Sequence, residues 1–435
     1  MAFQQGLSGL NSSSKALDVT SNNIANASTV GFKTSAAHFA DVYAASLSGG
    51  GASQVGIGTS VSSIVQQYTQ GNITTTSNPL DVAINGAGFY RMAKDGAVMY
   101  SRTGQFHLDA NGFMVNDAGA NVTGYSANAN GIITPTTPSA LQISMADIPP
   151  QVTGSTSKGV AAQLNLDSTK SVPATAWTSP VGVNTPQTDT YNYSTATTIY
   201  DTLGNPHTMT MYFVRGTPTA AEALAGATGA WDVHYQVDGT AEANVTSSPS
   251  RLTFNSSGTL LSTTPIAGFS INLNGVMANL GKANNAASPL TFNMDFNKTT
   301  QYGSSFSVSA LSQDGYAAGH IAGMSIGKDG IVQGNYSNGQ TRNLAQIVLA
   351  NFANPNGLMA VGNNAWVETA ASGQPLVGAP NSGTLGVLQS GAIEESNVDL
   401  TAELVNMIVQ QRNYQASSQS IKTQDQIMQT LVNLR

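Results

Sequence analysis

Both ends of the chain repeat apolar residues at alternating steps of four and three. At the N-terminus Phe3, Leu7, Leu10, Ser14, Leu17, Ser21 and Ile24 hold this spacing. At the C-terminus Leu400, Leu404, Met407, Gln411, Tyr414, Ser418, Ile421, Asp425, Met428 and Val432 hold it too. A heptad repeat puts one stripe along a helix, the seam of a coiled coil. A seam needs a partner. Either the two ends pair with each other, or they pair with the ends of other copies and build a polymer.

The seams are impure. Ser14, Ser21, Gln411, Ser418 and Asp425 interrupt the apolar rows, and polar seam positions weaken a two-stranded coil. The N-terminal helix is expected to span about 24 residues, roughly 36 Å at 1.5 Å per residue. A helix of that length is marginal alone in water. Both ends are therefore expected to be mobile in the monomer and to order on assembly, at an entropic cost.

Between the helices the sequence reads as strands and turns. Val82 and Ile84 alternate with Asp81 and Ala83 before the turn at Asn85-Gly86-Ala87-Gly88. Phe89-Tyr90-Arg91-Met92 leads to a turn at Lys94-Asp95-Gly96, and Tyr100 to Leu108 follows as a further strand segment. Strands between such turns make a β-meander. Pro149-Pro150 marks a boundary, after which the chain is richer in Thr, Ser, Asn and Pro. Met209–Phe213 and Trp231–Val237 alternate as half-buried antiparallel strands, and Leu203-Gly204-Asn205-Pro206 turns the chain ahead of the first. The meander texture returns from about Phe306.

These readings predict an α+β chain, mostly β, with terminal coiled-coil helices and nested β-domains. Residues 1–30 form the N-terminal helix and pair with 394–435. Residues 31–70 are a connector. Residues 71–146 with 308–393 form a discontinuous inner β-domain, and 147–307 an inserted outer β-domain. Glu394, Glu395, Asp399 and Glu403 crowd the start of the last helix, where acidic side chains suit the helix dipole. Ser396 or Asn397 is expected to cap it.

Composition narrows the function classes. Only 9% of residues are charged, against about 25% in a typical globular protein. Weak self-repulsion lets such a surface pack against copies of itself. A net charge of −7 with 16 basic residues leaves no basic patch for nucleic acid. The absence of cysteine removes disulfides and thiolate metal sites. No apolar run reaches the ~18 residues of a membrane span, so no membrane insertion is expected, and Met1 to Ser14 does not read as a cleaved signal peptide.

No active site emerges. His38, His107, His207, His234 and His320 are scattered, none with a second ligand at metal spacing. Asn85-Gly86-Ala87-Gly88 is a turn rather than a dinucleotide fingerprint. Glu394-Glu395 reads as dipole-favourable charge rather than a glycosidase pair. The expectation is no enzyme, no cofactor and no metal.

Four blocks carry a resemblance. Ser21-Asn22-Asn23-Ile24-Ala25-Asn26-Ala27-Ser28-Thr29-Val30-Gly31-Phe32-Lys33 resembles a signature of the bacterial flagellar rod and hook (axial) protein family. Asn78 to Phe89 resembles the second block of that family, and Tyr100-Ser101-Arg102-Thr103-Gly104-Gln105-Phe106 the third. Ser396-Asn397-Val398-Asp399-Leu400, with Gln411-Arg412-Asn413-Tyr414, is similar to its C-terminal signature. Ile199 to His207 and Leu311 to Tyr316 look like parts of the hook type, whose length also fits better than a rod type.

The resemblance implies a structural subunit that polymerises into a curved, flexible tube linking rod to filament, acting as a universal joint in swimming. The polymerisation seam would be Phe3, Leu7, Leu10, Leu17 and Ile24 against Leu400, Leu404, Met407, Tyr414, Ile421 and Met428, within and between subunits. Phe39 and Tyr43 match an export-recognition pattern of the family. Implied partners are other copies of the chain, rod proteins, hook–filament junction proteins, the hook cap and the flagellar type III export apparatus. The implied location is the extracellular flagellar hook, reached without a cleaved signal peptide. A distal rod subunit and, from another class, a secreted carbohydrate-binding adhesin are the alternatives.

Overall fold

The structure is a computed structural model of the chain and describes residues 2–42, 56–156 and 158–433. It is mostly β, framed by two long helices, Ala2–Ala25 and Leu400–Asn433. The first helix stops where asparagine takes over its end. Asn26 Nδ2 donates to Asn22 O at 3.0 Å, competing with continuation of the helix. Gly31 then turns the chain at φ +72°, a conformation that favours glycine.

The C-terminal helix is capped by Asp399, not by Ser396 or Asn397. Asp399 Oδ1 accepts from the Thr401 and Ala402 backbone N–H groups at 2.9 and 3.1 Å, satisfying donors that have no partner inside the helix.

The chain divides into two compact units. Residues 1–145, 322–335 and 341–435 form the first, and 146–321 with 336–340 the second. The second unit thus extends past residue 307. Strand Ser307–Gln313 pairs antiparallel with Val160–Asn165, and this non-local pairing keeps the segment in the second unit.

In the first unit, hydrogen-bonded strands run in the order Thr341–Ile347, Asn121–Ser126, Phe89–Lys94, Ala97–Ser101, Ala365–Val367 and Met359–Gly362. The Asp95-Gly96 turn has φ +50° and +82°, the two-residue hairpin geometry that Asp-Gly favours, and it sets Lys94 opposite Ala97. Val82, Ile84, Tyr90, Met92, Val122 and Ile347 pack as the main core. The segment expected to be a connector carries a hairpin, with Ser35–Val42 antiparallel to Gly58–Gln66.

In the second unit, two sheets share one core. One has the order Tyr193–Tyr200, Pro206–Gly216, Gly229–Val237, Ser250–Phe254. The other includes Ile266–Ile271, Leu290–Asp295, Val160–Asn165 and Ser307–Gln313. Alternating residues of both, such as Met211, Phe213, Trp231, Val233, Phe269 and Phe292, meet between them, as the period of two requires. Asp201 Oδ1 accepts from Leu203 N and Asn205 N, both at 2.8 Å, and so organises the turn before Pro206.

Candidate assembly interface and its anchor

The two terminal helices pack antiparallel within one chain, Gly6 lying against Ile421 and Gly9 against Ser417. Glycine allows this approach. A Cβ built on Gly6 would sit 2.9 Å from Ile421 Cγ1, and one on Gly9 would sit 3.1 Å from Ser417 Oγ. The buried residues of the N-terminal helix are Ser12, Ser13, Ala16, Thr20 and Asn23, all small or polar. One flank rests on the hairpin, where Gln5 Nε2 donates to Gly56 O at 2.6 Å and Ser8 Oγ accepts from Thr59 N at 3.3 Å.

The heptad stripe lies one step around the helix from this face. Phe3 and Leu7 are exposed, at 51% and 45%, while Leu10, Leu17 and Ile24 are half-buried. On the C-terminal helix Met407 and Ile421 are half-buried. Leu400, Leu404, Tyr414 and Met428 are exposed, together with Val405, Ile408, Val409 and Ile427. Small residues close the contact inside one chain because they let the backbones approach. Of the bulky apolar residues that periodicity singles out, Ile421 takes part in it against Gly6, while Phe3, Leu7, Leu400, Leu404, Tyr414 and Met428 stay exposed. Phe39 is exposed on strand Ser35–Val42. Tyr43 lies outside the described residues.

The helices share a root. Lys33, just beyond the first helix, is fully buried, and its Nζ donates to Glu394 Oε1 and to Thr69 O, both at 2.7 Å. Arg102 Nη1 reaches Glu394 Oε2 at 3.2 Å, and Nη2 donates to Gly86 O at 3.0 Å. Gly71 N donates to Glu394 Oε1 at 2.9 Å. The Glu394 backbone carbonyl accepts from Gly31 N at 2.8 Å. Burial pulls the Lys33 ammonium below its ordinary pKa, while the Glu394 carboxylate works against that shift.

Glu394 is therefore a buried ion-pair partner in strand Ala392–Glu394, not a charge serving the helix dipole. It lies before the helix begins, so its carboxylate meets Lys33 and Arg102 rather than the first helical turn.

Two asparagines complete the root. Asn397 Oδ1 accepts from Thr34 N at 2.8 Å, and its Nδ2 donates to Gln67 O at 2.8 Å and Thr69 Oγ1 at 2.9 Å. Asn23 bonds both backbone groups of Ser35, at 2.8 and 3.0 Å. Sequence reasoning placed Lys33, Arg102 and Asn397 in family-like blocks without giving them partners. The available signal was scarcity: in a chain with so few charges, a lone cation beside apolar strand residues calls for a buried counter-ion.

The second unit holds a buried histidine, His207. Its Nδ1 lies 2.7 Å from Asp238 Oδ2, and its Nε2 is 3.6 Å from Asp201 Oδ2. The hydrogen bond to Asp238 lifts its pKa above the ordinary histidine value, against the effect of burial. Among the described residues no group of three or more His, Asp or Glu is placed to hold a metal ion. No described helix is long and apolar enough to cross a membrane.

Residues 3–33 match the family model "Flagella basal body rod protein", and 83–153 match "Flagellar hook protein FlgE/F/G D1 domain". Residues 165–316 match "Flagellar basal body protein FlaE D2 domain", and 389–434 match "Flagellar basal body rod FlgEFG protein C-terminal". These four matches, in order along the chain, place it in the rod and hook class of flagellar proteins. The chain is 41% identical over 440 residues to the flagellar hook protein FlgE of Escherichia coli (strain K12), with 100% of each chain covered. It is 31% identical over 460 residues to that of Borreliella burgdorferi, covering 100% of this chain and 99% of the relative. It belongs to the flagellar hook protein FlgE family, as a structural subunit of the flagellar hook. The crystal structure of Helicobacter pylori flagellar hook protein FlgE2 shares the fold, with a TM-score of 0.51 at 15% identity, over 74% of this chain and 99% of that one.

Proposed function

We propose that the chain polymerises through both terminal helices into a curved, flexible tube that joins the rod to the filament and transmits torque as a universal joint. One observation carries this reading. Phe3, Leu7, Leu404, Val405, Ile408 and Val409 remain exposed, although a helix pair has already formed inside the chain. Exposed apolar stripes of this size are partner surfaces, and the occupant is the same stripe on other copies. Polar positions such as Ser14, Ser21 and Gln411 keep the contacts from locking, so neighbouring subunits shift as the tube turns.

The same reading assigns the terminal helices to an inner core domain and the β-units to successive outer domains. Rod proteins, junction proteins and the hook cap are the further partners. Export runs through the flagellar type III apparatus to the extracellular hook, with Phe39 and Tyr43 as recognition residues. The exposure of Phe39 supports its part in that step.

The test is negative-stain electron microscopy of full-length protein concentrated under salting-out conditions. Curved tubes are expected. Straight tubes would overturn the flexible-joint part, and monodisperse particles at every concentration would count against unaided self-assembly.

A further inference from the structure

Where the two helices meet inside one chain, Gly6 faces Ile421 and Gly9 faces Ser417, and a glycine has no side chain to interlock and fix their direction. What fixes them is at the other end. We propose that Lys33, Glu394 and Arg102 form a positioning joint that holds the two terminal helices as one fork and sets their direction for assembly. This rests on the assembly reading for its consequence, but not for its geometry.

Three features support the joint. First, one carboxylate binds both exits. Glu394 takes Lys33 on one oxygen and Arg102 on the other, while its carbonyl accepts from Gly31 N. Neither helix root moves along its axis without breaking a buried charge-assisted bond. Second, all three side chains are buried: Lys33 and Glu394 are fully enclosed and Arg102 is 4% exposed. Buried pairs are screened little by salt. Third, Asn397 and Asn23 tie the flanking backbone at Thr34 and Ser35. Sliding during tube movement is then assigned to contacts between copies, and the two helices of one copy travel together.

The joint has a distant readout. Gly9 lies 16 residues before the end of its helix, about 24 Å from the root at 1.5 Å per residue. A Cβ built on Gly9 would lie 3.8 Å from Ser417 Cβ, the usual Cβ separation of a disulfide. The natural sequence has no cysteine, so Gly9→Cys with Ser417→Cys gives a clean cross-link that reports helix pairing far from the joint.

Lys33→Met is the informative change. It leaves Glu394 paired with Arg102 and bonded by Gly71 N, and Thr69 O keeps the Asn397 amide. No carboxylate is left buried without a cation, so the β-core should be spared.

The full-length double-cysteine protein, dilute and with glutathione disulfide as oxidant, is compared with and without Lys33→Met. The expected result is a cross-linking rate lowered roughly tenfold or more, the order of one lost charge-assisted hydrogen bond. The thermal transition of the first unit should be unmoved, and the concentration needed for tubes raised. An equal cross-linking rate would overturn the joint. So would a rate that falls only together with the thermal transition, a loosened helix pair that still assembles like the parent, or a parent that does not cross-link. If Lys33→Met fails to fold, Asn397→Ala takes its place under the same criteria. Cross-linking is read in the monomer, so its failure is distinct from a failure of the unmodified chain to form tubes.

Discussion

Lys33 and Glu394 stand 361 residues apart in the chain and 2.7 Å apart in space, both fully buried. That pair closes the first unit. It joins the exit of the N-terminal helix to the strand that leads into the C-terminal one, so both arms begin at the same buried carboxylate.

Removing that carboxylate should be far more damaging than removing either cation. Glu394→Ala would leave the Lys33 ammonium and the Arg102 guanidinium buried together with no counter-ion. The expected loss is ~3–5 kcal/mol, confined to the first unit, because the second has its own core. Calorimetry on the full chain checks this: the transition of the first unit should fall steeply while the second stays in place. An unmoved first transition would mean that the triad is energetically idle.

A second buried contact depends on shape alone. Gly104 lies so close to strand Val82–Asn85 that a Cβ there would sit 1.6 Å from Val82 O, and Val82 N donates to Gly104 O at 2.8 Å. Backbone has to move to admit any side chain. Gly104→Ala should therefore cost about 3 kcal/mol or more, the upper range for overpacking, measured by denaturant unfolding. Gly323→Ala serves as the control, since a Cβ there would meet no atom within 4 Å. Equal losses for the two variants would refute the steric argument.

His207 gives the second unit a pH dependence of known sign. Its pKa is raised in the folded chain, first by the hydrogen bond to Asp238 and further by the charges of Asp238 and Asp201. A raised folded value means that its contribution is complete below the unfolded histidine value of about 6.5 and is lost as pH climbs through the folded value. Asp201 sets the acid limit. Burial opposes its ionisation, but hydrogen bonds from Asn205 and Leu203 and the nearby His207 hold its pKa below the ordinary carboxylate value. Its contribution fades as pH falls through that lowered value. The second unit's melting temperature should decline from mildly acidic to mildly alkaline pH, and His207→Gln should flatten that slope. A slope unchanged by the substitution would remove His207 from the account.

The helices were legible because their period is local: Phe3 to Ile24 and Leu400 to Met428 announce themselves within one segment. The Asp95-Gly96 hairpin was legible for the same reason, since two residues carry its geometry. Which face of each helix closes inside the chain was not. Periodicity ranks residues by apolarity and so marks Ile421, but its partner Gly6 and the pair Gly9 and Ser417 make the contact through close approach, which no hydropathy pattern marks. The role of Glu394 is hidden in the sequence because its neighbours are acidic residues at a helix start, whereas its partners come from residues 33 and 102. The pairing of strand Ser307–Gln313 is not legible because its partner, Val160–Asn165, lies far back in the chain. Asn397 looked like a cap for the ordinary reason that asparagine often is one, but its side chain is already committed to Thr34, Gln67 and Thr69.

The assembly reading has its sharpest test in Leu404→Asp. Leu404 is 45% exposed in the single chain, so an aspartate there remains hydrated and the fold loses little. In a polymer the same carboxylate would be taken from water into the apolar stripe formed with Val405, Ile408 and Val409 of its own helix and the matching surface of another copy. Burying an unpaired charge costs several kcal/mol, and each ~1.4 kcal/mol is tenfold in an equilibrium constant. The concentration needed for tubes should rise by roughly a hundredfold or more on that scale, while both thermal transitions of the monomer stay where they are. Sedimentation of polymer from a dilution series, read beside calorimetry on the soluble fraction, separates the two effects. Unimpaired tubes would show that this face of the C-terminal helix looks into solvent in the assembly. Parallel loss of tubes and of the first unit's transition would mean that the helix serves the fold of one subunit before it serves the contact between two.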